Sequence, residues 1–358
     1  MPGEQRHWGS VILAGLCALT TLAAVDAALH LVAPPKPLLE IDEAMDGYEA
    51  GDPTVLAIGS SHARSFIAVD RALSQRTGGT QHILSVPVEW GKYTPYAWVM
   101  QHRVKPILEE TDASGALVRD SLRQVLIVTE WWDSTSLDPG TGSITMALPA
   151  RAWQWTDFLA DALENGLTPY NQNFLQRIWR ERWSRSSLVQ DRGYGNITRG
   201  IKEALRGKDV EGEKASYVTR LKGWQSMVEE GVDRLFDPDQ VRSLEEIIDY
   251  FKGRGIAVTI VLYPRMPGTL SQKAKDTTLR QFSARMNAFA QEHLVRFVDL
   301  TLRHPLTDDD FETDFDHITP EGNRRLAEWV LDRDLAFLVD GAGRDTAGSP
   351  TAGNGGAQ

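Results

Sequence analysis

One serine pair in this sequence stands where a nucleophile is often placed. The apolar run 55–58 has the length and composition of a buried strand, and Gly59 after it permits a tight turn. Ser60 and Ser61 follow directly. A serine at a strand-to-helix turn can hold its hydroxyl above the edge of a sheet, beside the backbone N–H groups of the next helix. The segment therefore predicts nucleophilic chemistry, although such a triplet is by itself also an ordinary turn.

A candidate base and a candidate acid stand near the other end of the chain. Asp314 precedes His317 by three residues, which gives a D-x-x-H pattern. Thr319 and Pro320 then have the residue types of a helix N-cap and a first helical position. The alternative interpretation is a solvated acidic loop whose histidine lies at the entry of a helix.

Together, the two motifs resemble those of the SGNH (GDSL-like) hydrolase superfamily, whose first motif carries the serine and whose last carries Asp and His in that order. Their order and spacing span most of residues 52–335. The resemblance implies that Ser61 is the nucleophile, that His317 accepts its proton and that Asp314 orients the imidazole. Ser60 stands where many members have aspartate. The implied chemistry is acyl transfer.

Two neighbouring residues are rivals for these roles. His62 is a second possible base, although adjacent side chains on such a turn rarely converge, and Asp316 is a second possible orienting carboxylate. No group of residues has metal-ligand spacing, and Cys17 is the one cysteine. There is no Gly-rich nucleotide loop, so no cofactor is expected.

The oxyanion site is less complete than the family pattern. Gly91 occupies the position where relatives place an oxyanion-hole glycine, and it is equally well a turn residue. We expect the backbone N–H groups of Ser61 and Gly91 to donate. The asparagine common after the third strand is missing, and ionised Glu130 or Asp133 cannot donate. A third donor must then be the Thr129 hydroxyl or a backbone amide, or be absent.

Three further residues are candidates for substrate binding. Trp131 and Trp132 could stack on a sugar ring at the rim of the site, whereas adjacent tryptophans often divide between core and surface. Arg265 follows a predicted strand and could meet an anionic group, with a surface ion pair as the alternative.

Strand and helix patterns alternate along the chain. Apolar strand segments are predicted at 55–58, 81–86, 124–128, 256–262 and 295–300, separated by helical segments at 65–75, 93–108, 238–252, 279–292 and 320–331. This alternation predicts an α/β fold, a three-layer parallel sheet flanked by helices and flavodoxin-like in kind. Residues 53–136 and 236–338 form this domain, and 137–235 is a helical insertion placed as a lid.

The N-terminal 33 residues predict a membrane anchor or a signal peptide. Residues 8–25 carry no charge and are mostly apolar, and a basic residue precedes them. This charge pattern places the body on the extracytoplasmic, periplasmic side, anchored to the cytoplasmic membrane or secreted. Residues 34–52 are a Pro-containing acidic linker, and 339–358 are a disordered tail rich in small residues.

Composition limits the possible partners. A net charge of −11 over 358 residues argues against general nucleic-acid binding, which needs a basic surface to offset phosphates. The length and apolar content favour one large domain with an insertion.

Two functions of different classes follow from these patterns. The resemblance, which extends to membrane-anchored polysaccharide O-acetyltransferases and esterases of the alginate type, implies an extracytoplasmic O-acetyltransferase or acetylesterase acting on a cell-envelope or exported polysaccharide. Transfer would need a membrane partner that delivers the acyl group, because a single span cannot carry one across a bilayer. The alternative is a glycan-binding scaffold with weak or no turnover, as the missing asparagine allows.

Overall fold

The computed structural model describes residues 3–32, 36–88, 91–135, 225–312 and 314–340, with a few positions between 163 and 223. The chain divides into two compact units, Met1–Asp42 with Leu137–Val210, and Glu43–Ser136 with Glu211–Gln358. Every predicted site residue belongs to the second unit. Most of the predicted lid over 137–235, and the predicted tail beyond residue 340, lie outside the described residues.

The described part of the second unit is built on five parallel strands in the order β2-β1-β3-β4-β5. Their bounds are β1 Val55–Gly59, β2 Ile83–Pro87, β3 Gln124–Thr129, β4 Ala257–Leu262 and β5 Arg296–Asp299. The sequence placed each strand within two residues of these limits. The α/β prediction is confirmed, and the strand order is that of flavodoxin-like folds.

Burial on both sheet faces explains why these strands read as continuous apolar runs. Every residue of β1 and β3 is buried. Side chains alternate between the two faces of a strand, so a polar residue at any interior position would be desolvated. β5 lies at the sheet edge, where an exposed Arg296 is tolerated.

Helices cover both faces of the sheet. In the second unit these are α3 Phe66–Arg76, α4 Tyr93–Val99, α5 Lys105–Leu108, α6 Pro238–Gly253, α7 Gln272–Ala274, α8 Arg280–Glu292, α9 Pro320–Leu331 and α10 Ala336–Val339. Helix α1 Gly3–Val32 belongs to the first unit, and α2 Lys36–Gly51 crosses the boundary between the units. Helix α3 packs against α9, and α4 packs against α6. The sheet and its helices therefore form the predicted three layers.

One π turn interrupts the predicted helix over 93–108. It spans Met100–Val104 between α4 and α5. Pro106 lies in the first turn of α5 and has no N–H for the carbonyl four residues earlier. The wider π turn accommodates this loss without ending the helix.

The predicted linker over 34–52 is largely helical, because α2 occupies most of it. Ile41, Met45 and Tyr48 are buried at helical spacing, which stabilises a helix that composition alone does not indicate. Pro37 lies in the first turn, where a missing N–H has no consequence.

Helix α1 covers the apolar N-terminal segment that the sequence predicts as an anchor or signal peptide. Of the helices in the part of the chain that the structure describes, none combines the length and apolar character that crossing a membrane requires.

Gly59 allows β1 and β3 to approach closely just before the predicted nucleophile. A Cβ added there would lie 2.3 Å from the carbonyl oxygen of Val128, a backbone atom that cannot rotate away. We expect Gly59→Ala to lower the free energy of unfolding by about 1–3 kcal/mol in urea titrations. Gly253→Ala is the control, since nothing lies within 4 Å of its added Cβ. An equal loss in both variants would contradict this account.

Candidate active site

Ser61 lies at the carboxyl end of β1, at the start of a short 3₁₀ helix, Ser61–Ser65. Ser60 caps this helix, because its side chain accepts the N–H of His62. Ser61 is 9% exposed and is the first residue of the helix, so its own N–H has no acceptor inside it. The turn thus presents a hydroxyl and a backbone donor side by side.

His317 approaches the same turn from the loop before α9. Its Nε2 lies 2.7 Å from the Oγ of Ser61, and its Nδ1 lies 2.7 Å from the Oδ2 of Asp314. The other oxygen of Asp314 accepts the backbone N–H groups of Asp316 and His317, each at 3.0 Å. With the Nδ1 proton directed at Asp314, Nε2 is the atom that can accept the Ser61 proton. The structure therefore brings together the three residues that the motifs pair.

A buried phenylalanine holds this loop. Phe315 is 2% exposed and belongs to the core cluster that packs under α3 and α9. Its φ is 68°, a left-handed conformation that costs a residue with a side chain roughly 1–2 kcal/mol. Burying the ring offsets that cost, and it leaves Asp314, Asp316 and His317 outside the core.

Hydrogen bonding shifts the pKa values of the base and the acid in opposite directions. The hydrogen bond that His317 Nδ1–H donates to Asp314 is the main cause that raises the pKa of His317, and it outweighs the opposing effect of burial. Burial alone would raise the pKa of Asp314, yet the hydrogen bonds from the His317 ring and backbone outweigh burial and lower it. Asp314 therefore stays ionised where His317 titrates.

These shifts predict the pH dependence of any Ser61 reactivity. A base must be neutral, so the rate should rise with pH through the pKa of His317, with its midpoint above the ordinary histidine value of about 6.5. The measurement is the labelling rate with a fluorophosphonate between pH 5 and 9. Asp314→Asn loses the interaction that raises the pKa of His317, so the midpoint should move to lower pH. An unmoved midpoint would contradict the assignment.

The two rival residues face other partners. His62 is 2% exposed, and its ring stacks on Tyr263 with 4.0 Å between centroids. Its Nδ1 lies 2.8 Å from the Oγ of Ser60, not of Ser61. Burial lowers the pKa of His62. Asp316 points its Oδ2 at His62 Nε2, 3.1 Å away, and so does not orient His317.

Arg265 is not a surface residue, and this corrects one part of the sequence analysis. It is 2% exposed and forms ion pairs with Glu130 and Asp316. The anionic groups it meets are therefore the protein's own carboxylates. Burial alone would raise the pKa of Asp316, but His62 and Arg265 outweigh burial and hold it well below its usual range.

The four residues His62, Glu130, Arg265 and Asp316 close into a group that we call the ion ring, of which only Asp316 is half-buried rather than buried. Glu130 completes it, since its Oε1 lies 3.4 Å from the Nδ1 of His62. The members come from the carboxyl ends of β1, β3 and β4 and from the D-x-x-H loop. Sequence reasoning missed the ring, and the one signal available was that three of its members follow predicted strands.

The two tryptophans divide between core and periphery. Trp131 is 2% exposed, and a Cβ added at Gly231 would lie 2.4 Å from its ring. Trp131 is therefore a core residue, and the expectation that it stacks on a sugar is wrong. Trp132 is half-buried, with the Nζ of Lys92 4.2 Å from the centroid of its ring.

The expected oxyanion donors other than Ser61 are engaged elsewhere. The N–H of Gly91 donates to the carbonyl of Val88 at 2.7 Å. The Thr129 hydroxyl lies 2.7 Å from the hydroxyl of Tyr93 and donates to Asp133 Oδ2 at 3.0 Å. Both donors therefore form hydrogen bonds within the protein and do not face an oxyanion.

Asp133 has a raised pKa, whereas the sequence pattern considered only its ionised form as a group that cannot donate. It is fully buried, and burial raises its pKa to about 8. At neutral pH the carboxyl is therefore mostly protonated, and it helps to hold the end of β3 by accepting the Glu130 N–H at 3.1 Å.

Comparisons with known proteins add little to this geometry. No protein-family model matches the sequence, and neither does any curated protein. Among solved structures, the fold is similar to a crystal structure from Bacteroides fragilis, a protein provisionally described as an acylhydrolase, at 12% identity and a TM-score of 0.34. The likeness covers 79% of this chain and 87% of that one. At this level of similarity it carries no argument about chemistry, which rests on the side chains described above.

Proposed function

We propose that the protein is a serine acyl-transfer enzyme of the SGNH type. The single observation that carries the proposal is the chain of two 2.7 Å contacts from Ser61 Oγ to His317 Nε2 and from His317 Nδ1 to Asp314. A nucleophile, a base and an orienting carboxylate in hydrogen-bond reach are the geometry that serine acyl transfer requires.

The reaction follows from these contacts. His317 takes the proton of Ser61 as the oxygen attacks an ester carbonyl, and Asp314 stabilises the imidazolium that forms. The N–H of Ser61 donates to the developing oxyanion. His317 then gives its proton to the leaving alcohol, which yields an acyl-enzyme. Water or an acceptor hydroxyl, deprotonated in turn by His317, attacks this intermediate, and His317 returns that proton to the departing Ser61 oxygen.

For the substrate we propose O-acetyl groups on a cell-envelope or exported polysaccharide, handled on the extracytoplasmic side. The family resemblance of the G-S-S-H and D-x-x-H motifs and the apolar N-terminal segment support this proposal. Delivery of an acyl group to an outside site would then depend on a membrane partner protein. Hydrolysis, with water as the acceptor, uses the same machinery.

A second candidate function is a glycan-binding scaffold with little turnover. It is favoured by the engagement of Gly91 and Thr129 elsewhere, because loss of one oxyanion donor can cost about 10²–10³ in rate.

A fluorophosphonate probe on the full-length protein separates the two candidates. We expect covalent labelling of the wild type, none of Ser61→Ala, and retained labelling of Ser60→Ala, whose native hydroxyl faces His62. Folded wild-type protein that takes no label would support the scaffold. Labelling that survives in Ser61→Ala would refute the assigned nucleophile.

The acceptor is tested separately with p-nitrophenyl acetate as donor. Acetyl appearing on an added oligosaccharide identifies a transferase, and release of acetate alone identifies an esterase.

A further inference from the structure

Three potential metal ligands converge beside the nucleophile. One ligand atom from each of His62, Asp316 and His317 lies within 4.8 Å of the other two. Two ligands of one tetrahedral Zn²⁺ lie about 3.3–3.5 Å apart, so closing a pair at the 4.8 Å limit needs about 1.5 Å of side-chain movement. The residues come from opposite ends of the chain, which is why their spacing in the sequence gives no metal motif.

A buried nitrogen without a hydrogen bond points into this group. His62 is 2% exposed, and within the described residues its Nε2 has no hydrogen-bond partner. Asp316 Oδ2 is 3.1 Å away, yet this contact lacks the geometry of a hydrogen bond. The tautomer with its proton on Nδ1, toward Ser60, leaves the Nε2 lone pair available to bind a cation together with Asp316 Oδ2.

Each of the three ligands is already oriented by an outer partner. The Nδ1 of His317 is held by Asp314, and the Nδ1 of His62 lies 2.8 Å from the hydroxyl of Ser60. Asp316 is paired through its Oδ1 with Arg265, which leaves Oδ2 directed at His62. Metal-binding histidines and carboxylates are usually held in this way, with the second atom of each group fixed by a neighbour.

Charge favours a cation at this place. Glu130 and Asp316 share the guanidinium of Arg265 within the ion ring, and Asp314 adds a third carboxylate beside His317. Two imidazoles and one carboxylate form a donor set for Zn²⁺ or its neighbours Co²⁺, Ni²⁺ and Cu²⁺. Mg²⁺ and Ca²⁺ prefer oxygen ligands and do not suit it.

We propose that His62, Asp316 and His317 form a binding site for a divalent transition-metal ion such as Zn²⁺, and that occupancy of this site inhibits the nucleophile. The Nε2 of His317 has one lone pair, which accepts either the Ser61 proton or the metal. A bound ion therefore displaces the 2.7 Å hydrogen bond to Ser61. The inhibition rests on the proposed function, whereas metal binding does not.

Binding is measured on the full-length protein by calorimetry with Zn²⁺ and by the visible absorption of Co²⁺. We expect one site per chain. His62→Gln and Asp316→Asn should each weaken it by about 100-fold or more, since each removes a ligand. His82→Gln is the matched control, because His82 is partly exposed and lies opposite Asp70 instead. Ser61→Ala should bind at least as tightly as the wild type, since the competing hydroxyl is gone.

Inhibition is measured as the rate of fluorophosphonate labelling. Zn²⁺ should slow labelling of the wild type and of His82→Gln, and a chelator should restore it. Zn²⁺ binding without any labelling would refute the proposed function and leave the metal site standing. Three results would overturn the metal site: wild-type protein that binds no ion, Asp316→Asn that folds and binds as the wild type does, or equal loss in His82→Gln.

Discussion

His317→Gln is expected to slow the proposed acyl transfer by about 10⁴-fold or more. Glutamine keeps a polar side chain but has no nitrogen that accepts the Ser61 proton, so the 2.7 Å contact loses its chemical role. Because the triad acts as a unit, Ser61→Ala should cost about as much, and the double variant little more. The measurement is turnover of p-nitrophenyl acetate, with kcat and KM determined separately.

The loss should fall on kcat, since His317 acts on the proton and is not needed to hold the ester. His102→Gln is the control, being an exposed histidine in the π turn. A residual rate within tenfold of the wild type would show that another base serves Ser61, and His62 would then be the residue to test.

Arg265→Gln is expected to lower the free energy of unfolding by about 3–5 kcal/mol. Removing the guanidinium leaves Glu130 and Asp316 buried or half-buried without their shared counter-ion. Urea titration measures the loss. Arg280→Gln is the control, because its side chain is 73% exposed and its pairing with Asp276 is worth less than about 1 kcal/mol.

Neutralising Glu130 and Asp316 should recover part of the lost free energy of unfolding. In the triple variant Arg265→Gln, Glu130→Gln, Asp316→Asn no uncompensated charge remains, so its free energy of unfolding should exceed that of Arg265→Gln alone. If the triple variant is the least stable of the set, the carboxylates contribute through packing and hydrogen bonds, and the electrostatic account of the ion ring fails.

The sheet and the meeting of the two motifs were predictable because both follow from local patterns. Four- to six-residue apolar runs separated by amphipathic segments leave few alternatives to a parallel sheet. The carboxyl ends of its strands meet at one edge, so Ser61 after β1 and the loop that follows β5 were expected to converge there. The sheet pattern predicted that these loops converge, and the specific pairing of Ser61 with His317 was what the resemblance of the two motifs implied.

The partners of individual polar residues were not predictable in the same way. The pattern assigned Arg265 to an anionic substrate group or to a surface ion pair, because its partners Glu130 and Asp316 lie in segments far from it in sequence. Trp131 was predicted to stack on a sugar ring. Its burial depends on Gly231, whose lack of a side chain leaves room for the indole. Such pairings are decided by tertiary packing, which a one-dimensional pattern does not record.

The buried ring of Phe315 holds both Asp314 and His317 in place. Asp314 and His317 flank it on a four-residue segment that has no other apolar side chain. If the Phe315 ring leaves the core, Asp314 and His317 move away together, while Ser61 stays at the end of β1. A substitution at Phe315 should therefore remove the proposed base and its orienting carboxylate together, with the sheet preserved.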